Sequence, residues 1–154
     1  MLIYSCLMKR DRFVFILAIL LQVLFLYAAV SKVSDMEKFR TEIGQSPLLT
    51  YFVGLFSIAV PAFEFIIVAL LYFGSTRLLG LYLSLFLMTA FTTYIIVIMR
   101  FASYVPCSCG GILSNMNWSQ HLTFNFIYTG IALLGVILGE ANHIKSFKQV
   151  NSAN

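Results

Sequence analysis

The sequence predicts an all-α integral membrane protein, a bundle of four transmembrane helices with both termini in the cytoplasm. Three observations carry that expectation. The side chains are 60% hydrophobic and 10% charged, with a mean hydropathy of +0.92, whereas a soluble domain carries about 25% charged residues. Four runs reach the roughly 20 apolar residues that a helix needs to cross a bilayer. None of them alternates apolar and polar residues as barrel strands do, so helices remain as the way to satisfy the backbone in lipid.

The 154 residues read as a single membrane domain without repeats or low-complexity segments. The net charge of +4 comes from bases scattered along the chain, most of them flanking the apolar runs. That pattern fits membrane orientation, and no nucleic-acid partner is expected.

The first span, about residues 13–30, follows Lys9, Arg10 and Arg12. It is longer than the 7–15 residues typical of a signal-peptide core. Ala28-Ala29 runs on into Val-Ser-Lys rather than a clear cleavage motif, so the span is expected to be retained. Met8-Lys9-Arg10 reads as a natural start, which would make residues 1–7 an upstream extension and set Cys6 aside. Lys32, just beyond this span, is expected to snorkel to the outer interface. In the loop 31–47, Met36, Phe39 and Ile43 form one apolar stripe among charges. They predict a short amphipathic helix lying on the membrane surface.

The second span, about 48–73, contains Pro61 and Glu64. Glu64 is the only ionisable side chain read as deep in a span, about 24 Å along the axis from Leu48 and so past the midplane. A carboxylate there is costly unless paired or protonated. Pro61 has no N–H to give the Ser57 carbonyl, which opens the helix locally. Two readings stand together: a pocket wall for a quinone or a proton path, built on Glu64 and Pro61, or packing and assembly. The third and fourth spans cover about 78–99 and 121–139.

Charge bias gives the direction. Six bases (Lys9, Arg10, Arg12, Arg77, Lys145 and Lys148) fall on the side of the N-terminus, and four (Lys32, Lys38, Arg40 and Arg100) on the other. With the first group inside, loops 31–47 and 100–120 face outward. In a bacterial inner membrane that is the oxidising periplasm.

The second outer loop carries Cys107-Ser108-Cys109-Gly110-Gly111, preceded by Pro106. Bridging two cysteines this close needs a sharp turn, which Pro and Gly favour. A strained bridge is easily reduced and suits exchange; a staple without turnover, or inert loop thiols, are the other readings. A zinc site is incomplete, because His121 alone would join the pair while Cys6 and His143 fall on the opposite side. No metal is expected. His121, Asn125 and Tyr128 share one face of the fourth span, expected to turn inward. His121 is a candidate to lower a thiol pKa, or simply part of interhelical hydrogen bonding. Asn117 and Gln120 resemble a capping box, and Tyr104 and Trp118 are placed as interfacial anchors.

With these features assembled, the chain resembles the DoxX-like superfamily of four-helix membrane proteins and, within it, the MauE (methylamine utilisation) proteins. The likeness runs from about Phe13 to Leu138. It rests on Ala29-Val30-Ser31-Lys32, on Pro61-Ala62-Phe63-Glu64, and on the cysteine loop followed by Trp118 and His121. The resemblance implies a membrane protein linked to maturation of the disulfide-rich small subunit of methylamine dehydrogenase, alongside a thioredoxin-like protein. The four-helix plan is also similar to that of DsbB and VKOR, which oxidise thiols with quinone. Those enzymes carry Cys-x-x-Cys and usually a second pair; here the spacing is Cys-x-Cys, with no second outward pair. That departure argues against quinone-linked oxidation by this chain alone.

The expectation is therefore an inner-membrane protein supporting thiol–disulfide exchange, or maturation of periplasmic proteins, through Cys107 and Cys109. His121 is the expected activator, and a periplasmic thioredoxin-like protein, a quinone or both are the expected electron partners. The alternative is a small non-catalytic subunit that anchors or assembles a larger membrane complex.

Overall fold

The computed structural model describes residues 2–45, 49–101 and 117–151, and these are almost entirely helical. Helix α1 spans Leu2–Ser34, α2 Met36–Gly44, α3 Val53–Tyr72, α4 Arg77–Phe101 and α5 Trp118–Asn151, with a 3-10 turn at Thr50–Phe52 leading into α3. Four stretches are long and apolar enough to cross a membrane: Arg10–Ser34, Thr50–Tyr72, Arg77–Arg100 and Trp118–Ala141. Each contains or closely tracks the span expected from the sequence. The first extends further at both ends, because no Gly or Pro interrupts the chain between Leu2 and Ser34.

The four spanning helices pack in the cyclic order α1, α3, α4, α5, and diagonal pairs barely touch. Their shared core includes Leu21, Phe25, Ile67, Leu71, Leu81 and Ala132. The outward faces are as apolar as the core, with Val23, Leu55, Phe86 and Ile137 all exposed. Lipid is the medium that such a surface requires.

At the α3–α4 turn the helices come very close. A Cβ on Gly80 would lie 2.9 Å from the Leu71 backbone nitrogen, so only hydrogen fits there. Gly135 and Gly139 of α5 admit the side chains of Leu81 and Leu78 in the same way. Small residues permit this close approach, and in lipid, van der Waals packing of this kind holds helices together.

Helix α2 is a correction to the sequence reading. Asp35 caps it, its Oδ1 accepting from the Lys38 N–H at 3.1 Å. The stripe expected to face the membrane surface turns two of its three residues toward protein instead. Phe39 and Ile43 are buried and α2 packs against α3. The turn at Asp35 folds the segment back over the bundle, where apolar side chains find protein rather than headgroups.

Candidate functional site: a buried ion pair beside the fifth helix

The last turn of α1 brings Lys32 into the bundle. Side chains on a helix tilt toward its N-terminus, so a lysine near the C-terminal end of α1 points back along the helix. Lys32 Nζ donates to Glu64 Oε1 at 2.7 Å and to the Ala28 carbonyl at 3.4 Å. The Lys32 side chain is 13% exposed and that of Glu64 0%. The expected outward snorkelling of Lys32 is thus reversed, because an opposite charge on the neighbouring helix outweighs the interface. The ammonium also lies 5.7 Å from the centre of the Phe39 ring and 6.0 Å from that of Phe91. These contacts have cation–π geometry.

Glu64 is therefore paired, not solitary. The α-helix starts at Val53 rather than Leu48, which puts Glu64 about 16 Å from its beginning, near the middle of α3. Its second oxygen, Oε2, is buried and has no hydrogen-bond partner among the described residues. Pro61 lies one turn earlier on the same buried face, and Ser57 one turn before that. Ser57 Oγ donates to the Gly54 carbonyl at 3.1 Å and accepts from Arg40 Nε of α2 at 3.4 Å. This contact ties α2 across the face that carries the ion pair.

The start of α5 forms the facing wall. The His121 N–H donates to the Asn117 carbonyl at 2.9 Å, and the Asn117 N–H to Gln120 Oε1 at 3.0 Å, so the side-chain-to-backbone half of the loosely expected capping box is present. His121 and Asn125 are buried and Tyr128 packs against the core, as their shared face predicted. Asn125 Nδ2 donates to the His121 carbonyl at 2.9 Å. Trp118 stacks on the His121 ring, with centroids 6.1 Å apart and planes 11° from parallel.

Of the expected site residues, Pro61 and Glu64 share the buried face of α3, and His121 is buried at the start of α5. Cys107 and Cys109, with Tyr104, lie outside the described residues; in chain order they fall between α4 and α5. Among the described residues no three His, Cys, Asp or Glu side chains gather to hold a metal ion. Sequence reading missed the roles of Lys32, Phe39, Phe91, Arg40 and Ser57. One signal was present: a lysine at the end of one span and an acid within the next, each in need of a partner.

No curated protein and no solved structure matches the chain. The family described as methylamine utilisation protein MauE does, over residues 10–138. The match runs from the start of the first span into the last, through the ion pair and the His121 face. The chain belongs to the MauE family and is a multi-pass membrane protein.

Proposed function

We propose that this MauE-family protein supports thiol–disulfide exchange for periplasmic proteins, with Cys107 and Cys109 as the exchanging pair in a bacterial inner membrane. The Cys-Ser-Cys-Gly-Gly sequence leading into α5 carries this reading, because the first turn of that helix holds His121 in a buried polar cluster. A thioredoxin-like protein is the partner that the chemistry suits.

The exchange balances in two steps. The Cys107 thiolate attacks one sulfur of the partner's disulfide, forming a mixed disulfide and releasing the partner's other sulfur as a thiolate. That thiolate takes up the proton lost by Cys107, for which His121 is the candidate carrier. Cys109 then attacks Cys107 in the mixed disulfide and frees the second partner thiol. Two electrons and two protons pass to the partner, and a Cys107–Cys109 disulfide remains. Run in reverse, the same steps oxidise the partner.

Trapping tests the reading. In Cys109→Ser, a mixed disulfide between Cys107 and a periplasmic protein accumulates and disappears on reduction. Failure of both single-cysteine variants to trap any protein, with full activity of the double variant, would reject it. The apolar outward faces of the bundle also suit a second reading, a non-catalytic subunit within a larger membrane complex. That reading predicts stoichiometric co-purification with a larger membrane protein and indifference to loss of both cysteines.

A further inference from the structure

Arg77 opens α4 at the end of the bundle opposite the ion pair, and its guanidinium is held on one side only. Nε donates to the Leu71 carbonyl at 3.4 Å, and the group lies over the Phe15 ring of α1, 5.0 Å from its centroid. Among the described residues its two terminal nitrogens meet no acceptor. A cation in the first turn of a helix also faces the positive end of the helix dipole, and no acid stands in the first turn of α4 to offset it. An anion at the guanidinium relieves both.

The surroundings select that anion. Phe15, beneath the guanidinium, is itself exposed. Arg12, Phe15 and Ile19 share one outward stripe of α1, at i, i+3 and i+7. A second arginine therefore stands one turn from the ring on one side, and an apolar track leaves it on the other. The end of α3 brings the exposed rings of Tyr72 and Phe73 to the same boundary. Six bases lie at this end of the bundle against two acids, Asp11 and Glu140, and Glu140 accepts from Tyr82. Outward faces as apolar as these lie in lipid. A phosphate at the boundary with acyl chains below it matches both the charge and the track, whereas a soluble anion matches the charge alone.

We propose that Arg77 binds the phosphate of an anionic phospholipid, with Arg12 adding positive charge and the acyl chains lying along Phe15 and Ile19. A guanidinium meets phosphate through two parallel N–H groups, and the terminal nitrogens remain for that fork while the Phe15 ring holds their plane. Basic groups between spanning helices take anionic head groups in this way. The lipid fastens the α3–α4 turn to α1, and its binding needs neither the cysteines nor the Lys32–Glu64 pair.

The test titrates the full chain, delipidated in detergent, with dioleoyl phosphatidylglycerol and with dioleoyl phosphatidylcholine, whose phosphate carries its own choline cation. Binding is read by native mass spectrometry. The wild type is expected to hold the anionic lipid about tenfold more tightly. Arg77→Gln brings the two lipids level. Arg100→Gln removes the same charge from the far end of α4 and keeps the preference. Arg77→Lys retains the charge but neither forks nor stacks, so it loses most of the preference even where Arg77→Gln fails to fold. Equal binding of the two lipids to the wild type overturns the proposal. So does an equal loss in Arg77→Gln and Arg100→Gln, since net charge would then account for binding. So does Arg77→Lys matching the wild type, because no fork would then read the phosphate. Displacement of the anionic lipid by an equal concentration of inorganic phosphate also overturns it, and assigns Arg77 to a free anion.

Discussion

The two ends of the bundle are held together by different physics. At the α3–α4 turn, Gly80, Gly135 and Gly139 let Leu71, Leu81 and Leu78 fill the space between helices. At the opposite end, where α1 finishes and α5 begins, an ammonium, a carboxylate, a hydroxyl, an imidazole and an amide are packed out of solvent. The first end fits by shape around its glycines, with Thr76 and Arg77 donating to carbonyls of α3 and Tyr82 to Glu140. The second sets a cation against an anion and still leaves Glu64 Oε2 without a partner. Shape packing accounts for stability, and nothing in it needs a buried carboxylate. The polar end carries a feature that stability alone does not ask for, which is why the exchange proposal centres there.

The comparison can be broken most directly through Glu64. Glu64→Leu leaves Lys32 buried without its counter-ion and should cost about 3–5 kcal/mol, measured by denaturant unfolding in detergent. Lys32→Met/Glu64→Leu should recover most of that loss. If the single variant is as stable as the wild type, the polar end is not held by the pair.

Gly80→Ala probes the other end. Its new Cβ meets Leu71 backbone rather than a movable side chain, and about 1–3 kcal/mol should be lost in the same assay. A neutral result would show that the α3–α4 turn has slack. Gly135→Ala meets the far end of Leu81, which can turn aside, so its loss should fall near about 1 kcal/mol. A loss larger than that of Gly80→Ala would place the tighter seam between α4 and α5. The smallest effect belongs to Arg40→Ala. The bond to Ser57 is long and the arginine exposed, so about 0.5 kcal/mol or less is expected. Hydrogen exchange in α2 should rise even so; unchanged exchange would show that Arg40 does not fasten the helix.

Much of the scaffold was legible in the sequence because lipid imposes simple rules. Unbroken apolar runs predicted the spans, and the positions of His121 and Asn125 predicted an inward face, since both depend only on helical period. Asn117 and Gln120 predicted the cap because its partners are three residues apart. Helix α2 was legible as amphipathic but not as docked, since a stripe of Met36, Phe39 and Ile43 suits a headgroup layer or a neighbouring helix equally. Lys32 was misjudged for a related reason. Its location near a span end suggests an escape to water, and only the packing of α1 on α3 shows that Glu64 is within reach. Phe91 carries no local sign that it would flank a cation.

The ion pair has a consequence for how the chain is made. Synthesis delivers α1 before α3, so the ammonium exists before the acid arrives. Glu64 makes the middle of α3 a poor substrate for insertion by itself, since a charged side chain there weighs against partitioning into lipid. A neighbour already in place offers it a counter-charge on entry. The first helix thus acts as an escort for the third, and a misplaced α1 would leave α3 reluctant to stay in the membrane.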